Sequence, residues 1–127
     1  MIVLDADVLI GFLDANDVHH EACLQILEGH AVERFAASVL TVSEALVHPT
    51  RLDRQDAALA ALRRIGLNIL SVGPGDAAPR ARVRSQHGVR MPDAGALCAA
   101  LSSVSLLATF DDALIVASER AGVPVVN

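Results

Sequence analysis

The sequence predicts an α/β domain, a parallel sheet with helices on both faces. Three observations predict it. Short apolar runs alternate along the chain with longer segments of helical periodicity, the pattern of strand–helix–strand units. The composition is 53% hydrophobic, ample for a core and too apolar for disorder. Acidic residues also stand repeatedly where an apolar run ends, and parallel sheets bind ligands outside the carboxyl ends of their strands.

Each element has its own justification. Ile2-Val3-Leu4 is a buried-strand run ended by Asp5. Asp7 to Leu13 places Leu9, Ile10 and Leu13 on one helical side, and Val18 to Leu27 does the same with Ala22 and Ile26 before Gly29. Phe35-Ala36-Ala37 is a weak strand. Val39 to Val47 predicts a helix stopped by Pro49. Asp53 to Ile65 is amphipathic, with an acidic start, Arg63-Arg64 in the last turn and Gly66 beyond. Leu67 to Val72 reads as a strand, Asp76 to His87 as a helix, and Pro92 opens another helix through Leu101. Leu106-Leu107-Ala108 is a strand, Asp112 to Ala121 a helix closed by Gly122, and Val123 to Val126 a last strand. A length of 127 residues suits one domain spanning 1–127.

No apolar stretch is long enough to span a bilayer, and Met1 to Asp5 lacks a signal-peptide pattern, so the expectation is a cytoplasmic protein without a membrane partner. Cys23 and Cys98 have no metal or redox spacing and read as buried thiols. The net charge is −5, with ten arginines and no lysine. That balance argues against tight non-specific binding of long nucleic acid. With three Phe and no Trp or Tyr, a base-stacking platform is not expected.

The acids carry the chemistry. Asp5 and Asp111 follow strands, Asp93 opens a helix, and Glu44 lies within one, with Asp7 and Asp112 adjacent. If those helices open at one sheet edge, the carboxylates converge, and converging carboxylates repel unless a cation sits among them. Each acid has a plainer explanation as well. Asp5 suits an N-cap, Thr41-Val42-Ser43-Glu44 fits a capping box, and Asp93, Asp111 and Asp112 suit helix dipoles. For Glu44 a mid-helix position among Val42, Ala45, Leu46 and Val47 predicts a buried carboxylate, costly without a cation. Mg²⁺ is the expected ion, because it prefers oxygen ligands and is held by a few carboxylates plus phosphate; such an ion serves phosphodiester chemistry.

Ile2-Val3-Leu4-Asp5-Ala6-Asp7-Val8-Leu9-Ile10, Ser43-Glu44-Ala45-Leu46, Met91-Pro92-Asp93-Ala94 and Ala108-Thr109-Phe110-Asp111 occur in the order and spacing of PIN-domain proteins. Across almost the whole chain the sequence resembles that family, and in particular the VapC toxins of bacterial toxin–antitoxin pairs. The resemblance implies a PIN-like fold with a five-stranded parallel sheet between helices. It implies Mg²⁺-dependent endoribonuclease activity, with Asp5, Glu44, Asp93 and Asp111 as the catalytic, metal-binding acids. Mn²⁺ is an expected substitute. It also implies an RNA substrate, a cognate antitoxin and a homodimer. Asp7 stands where relatives often carry Ser, Thr or Asn, and Asp112 replaces a further acid only in part; both are additional candidate ligands.

Arg80, Arg84 and Arg90 are candidate RNA-backbone contacts, Arg90 above the others because it lies nearest the acids, with a solvated face as the plain alternative. The histidines show no metal spacing, and His19-His20 reads as helix surface. Two other functions fit parts of the chain. A haloacid dehalogenase-like phosphatase would use Asp5 as nucleophile and Asp7 as general acid, with Ser38 and Asp111-Asp112 in later motifs, but leaves Glu44 and Asp93 unused and lacks a lysine. A PIN-like module that binds RNA or a partner without cutting would have no need of the full acidic set.

Overall fold

In the computed structural model, which describes residues 1–127, five strands form one parallel sheet. The strands are β1 (Ile2–Leu4), β2 (Phe35–Ser38), β3 (Asn68–Leu70), β4 (Leu106–Ala108) and β5 (Val125–Val126), in the spatial order β3-β2-β1-β4-β5. Seven helices surround them: α1 (Ala6–Leu13), α2 (His20–Gly29), α3 (Val39–Arg51), α4 (Gln55–Arg64), α5 (Ala77–His87), α6 (Met91–Ser103) and α7 (Asp112–Arg120). The expected α/β class, with a five-stranded parallel sheet between helices, is what the chain adopts.

Strand alternation divides the core in two. Ile2, Leu4, Phe35, Ala37 and Ala108 point to the face that carries α1, α2, α3 and α4. Val3 and Leu107 point to the opposite face, against α5, α6 and α7. Ile2, Leu4 and Leu107 are essentially inaccessible. Each such side chain contributes roughly 1.5–3 kcal/mol by burial. Central β1 is thus clamped on both faces, which fixes where Asp5 leaves the sheet.

Two close approaches set helix positions. A Cβ at Gly11 would meet Cys23 Sγ at 2.6 Å, so glycine lets α1 lie against α2. A Cβ at Gly95 would meet the Arg80 guanidinium at 3.0 Å, so α5 rests its arginine on the bare backbone of α6.

Strands β3 and β5 are shorter than the apolar runs 67–72 and 123–126 that predict them, α6 extends beyond 92–101 at both ends, and three other helix boundaries differ for a local reason. Helix α3 runs past Pro49 to Arg51, because a proline in the final turn forfeits a single backbone bond and its own carbonyl accepts from Arg54 N at 2.8 Å. Helix α4 starts at Gln55, since Asp53 takes φ 55° in the preceding turn. Helix α2 starts at His20 rather than Val18, the segment before it being tied by the Asp17 carboxylate accepting from His19 N at 2.8 Å. No helix is long and apolar enough to cross a membrane.

Candidate metal centre

The reversal of strand order around β1 opens a crevice at the carboxyl ends of β1 and β4. Leu4 is in register with Ala108, and Asp5 N donates to Ala108 O at 3.0 Å. The next residue on each strand is therefore Asp5 facing Thr109. Thr109 is fully buried and donates its hydroxyl to Asp5 Oδ2 at 2.9 Å, while its oxygen accepts from Asp111 N at 3.1 Å. Asp7, one residue into α1, accepts from Phe110 N at 2.9 Å through Oδ2. Its Oδ1 is shielded from solvent and has no partner. Asp111 caps α7, its Oδ1 accepting from Leu114 N at 2.8 Å. Three of these bonds thus join the end of β1 and the start of α1 to the segment around the end of β4, and two more order that segment itself.

The other acids arrive on helices. Asp93, in the first turn of α6, is 4% exposed, and its Oδ2 accepts from Arg90 Nε at 3.3 Å. Glu44 sits in the second turn of α3. The N-cap there is Ser38, whose hydroxyl accepts from Thr41 N, so the expected capping box with Glu44 does not form. The expectation of a buried Glu44 is also corrected: Thr41, Val42 and Ala45 turn inward, and Glu44 lies on the exposed flank.

The charges are mutually felt. Burial, then Asp7, then more weakly Asp93, pushes the Asp5 carboxyl up to about 7, against the Ala6 and Thr109 hydrogen bonds. Burial raises Asp7 as well, with Asp111 adding to it and the Phe110 amide opposing. Partial desolvation and the Asp93 charge raise Glu44, while Arg90 lowers it. Asp5, Asp7, Glu44, Asp93 and Asp111 therefore belong to one field. Asp112 is exposed in the first turn of α7 and perturbs none of these groups.

The donor set suits a hard divalent cation: every candidate ligand is a carboxylate oxygen. The orphaned, shielded Asp7 Oδ1 and the raised Asp5 are the strain that a cation would relieve. As the side chains stand, no three carboxylates are drawn together tightly enough to enclose an ion. Asp7 is tied to Phe110 and Asp93 to Arg90.

The arginines separate. Arg90 is at the rim with its side chain 75% exposed. Arg84 is exposed and donates to Val89 O at 3.1 Å, fastening the turn that precedes α6. Arg80 is half-buried on Gly95 with Nε shielded and unpaired, so it packs α5 on α6 instead of presenting a solvated face. Sequence reasoning missed Thr109 and His19. Thr109 is signalled by its place one residue beyond β4, opposite Asp5. His19 stacks on Phe110 with centroids 4.2 Å apart and planes within 6°, a contact that no local pattern announces.

Beside the acids, α1, α2, α3 and α4 line a groove of about 710 Å³ with Ile10, Leu13, Leu24 and Val47 in its wall and Glu44 and Arg54 at its edge.

Known structures share this fold. A toxin–antitoxin complex from Klebsiella pneumoniae matches with TM-score 0.80 and 23% identity over 100% of this chain and 97% of that one. FitAcB from Neisseria gonorrhoeae matches with TM-score 0.75 and 25% identity, covering 100% and 97%. Mycobacterium tuberculosis VapC20, a sarcin-ricin loop cleaving toxin, matches with TM-score 0.72 and 15% identity, covering 92% and 95%. No curated protein matches the chain. Residues 2–119 match the family model of the PIN domain, a span that runs from β1 into the last turn of α7 and takes in every acid described above. The chain belongs to the PIN domain family.

Proposed function

We propose that this protein is a Mg²⁺-dependent endoribonuclease, the toxin of a VapC-type toxin–antitoxin pair, folded as one domain over residues 1–127. The observation that carries the reading is the shared field of Asp5, Asp7, Glu44, Asp93 and Asp111 at one sheet edge. Asp5, Glu44, Asp93 and Asp111 would hold the ion, with Asp7 and Asp112 as further carboxylates beside it. Mg²⁺, or Mn²⁺ in its place, would supply activation of the attacking water and neutralise charge developing on the phosphate. The chain itself contributes orientation. Thr109 fixes one oxygen of Asp5, the Phe110 amide fixes Asp7, and the first turn of α6 fixes Asp93. Arg90 stands at the rim as the RNA-backbone contact.

A structural relative described as a toxin–antitoxin complex supports a cognate antitoxin as the partner; the cytoplasm is the location that goes with this reading. A homodimer is supported by Val39, Leu40, Val47 and Leu52, which leave apolar surface exposed along α3 and just beyond it. PIN-family membership sets aside the phosphatase reading, and Ser38, its second-motif residue, is accounted for as the cap of α3.

Incubation of purified protein with single-stranded RNA and Mg²⁺ tests the reading. Cleavage is expected, lost in EDTA and reduced on the order of 100-fold or more in Asp93→Ala, because the acid's placement is what positions the ion. Intact RNA, or a folded Asp93→Ala that cleaves at the wild-type rate, would overturn it. RNA bound but never cut would support the non-catalytic module.

A further inference from the structure

We infer that Arg90 is a latch on the acidic site: it bridges to Asp93 when no divalent ion is present, and the ion's arrival releases it to take a phosphate oxygen of the RNA. The inference rests on the nuclease reading and adds an order of events to it. Arg90 is the only cation bonded to any of the acids. It carries the N-cap position of α6, where a positive charge faces the positive end of the helix dipole. Nothing in the helix favours a cation there, so the acids are what hold it. Its guanidinium is raised further by the Asp93 bond, then by the charges of Asp93, Asp111 and Asp5, and it in turn lowers Glu44. It therefore feels Asp93, Asp111, Asp5 and Glu44 together.

The bridge is built to open. Its single contact is long at 3.3 Å and uses Nε alone, leaving the paired terminal nitrogens free of protein partners. Exposure is unequal, 75% for the Arg90 side chain against 6% for Asp93. The arginine can leave while the carboxylate stays. A single long contact from so exposed a guanidinium is weak, whereas a divalent ion meets several carboxylates at once. Backbone anchoring just before Pro92 keeps the released guanidinium at the rim, and its planar fork suits a phosphate.

Three measurements separate the latch from the nuclease reading. In a Mg²⁺ titration followed by NMR, the Arg90 Nε–H signal should move over the same concentration range in which Mg²⁺ raises the melting temperature. Arg90→Gln should bind Mn²⁺ a few-fold more tightly than wild type, and Arg84→Gln, which removes a neighbouring charge not bonded to an acid, should not. With EDTA present, Asp93→Asn should bind a single-stranded RNA oligonucleotide more tightly than wild type, and adding Arg90→Gln should cancel that gain. An Arg90 signal unmoved at saturating Mg²⁺, or equal Mn²⁺ affinities for wild type and Arg90→Gln, overturns the latch and leaves the metal site standing. If wild type binds neither ion, the nuclease reading falls and the latch with it.

Discussion

The two halves of the acidic site are built differently. Asp5, Asp7 and Asp111 lie just beyond the ends of β1 and β4 and are stitched by Thr109 and the Phe110 amide into a largely buried hydrogen-bonded knot. Glu44 and Asp93 ride on helices, one exposed and one touched only by Arg90. In the first half local bonding sets the carboxylates; in the second, helix packing does. A change in the knot should thus disturb folding and chemistry together, whereas a change on the helix-borne side should disturb chemistry alone.

The largest break in that contrast is expected at Asp5. Asp5→Asn should lower cleavage on the order of 100-fold or more, by loss of a positioned ligand. It should also stabilise the metal-free protein, with a sign that follows from linkage. The folded carboxyl titrates near 7, above its ordinary 3.8, so between those values the folded state holds the extra proton. Stability of the metal-free wild type should fall as pH rises through this window, with the penalty absent below the lower value and complete above the higher one. Its size is of order a few kcal/mol at about 1.4 kcal/mol per pK unit. Thermal melts in EDTA from pH 4 to 8 should show the slope in wild type and a much flatter profile in Asp5→Asn. A flat wild-type profile would mean that the knot carries no charge strain. With Mg²⁺ present the slope should lessen, since the ion favours the ionised carboxylate.

A smaller effect is expected at Thr109. Thr109→Val keeps the shape but leaves Asp5 Oδ2 without its donor and Asp111 N–H without its acceptor. The cost should be about 1–3 kcal/mol in denaturant unfolding, with cleavage reduced as well. Unchanged stability would dissolve the distinction between the halves.

The smallest expected change in stability is at Glu44. Glu44→Gln on the exposed flank of α3 should move stability by no more than about 0.5 kcal/mol while metal affinity and cleavage fall. Destabilisation beyond that would place Glu44 in the fold's support rather than in its chemistry.

The same contrast explains what the sequence made legible. Strand ends are legible because apolar runs stop abruptly, so Ile2-Val3-Leu4 and Leu106-Leu107-Ala108 located Asp5 and the approach to Asp111. Helix-borne positions are less so, since two residues at neighbouring angles of a helix differ in exposure through packing that no local pattern states. Glu44 was misplaced for that reason, and so was the end of α3, where packing outweighed Pro49. Arg80 failed similarly: its partner is a bare stretch of α6 around Gly95, and an absent side chain leaves little trace at a distance in sequence.

The Asp5–Thr109 bond joins residues 104 positions apart. Contacts so distant in sequence carry a large share of the loop-closure entropy and tend to form late. During synthesis β1 can pair with β2 before β4, the strand that brings Thr109, has emerged. A partly made chain therefore carries Asp5, Asp7, Glu44 and Asp93 without the hydroxyl and the amide that orient the first two. The site's competence waits on the stretch from β4 onward, and a chain cut short after α6 would hold most of the acids and none of the bonds that make the knot.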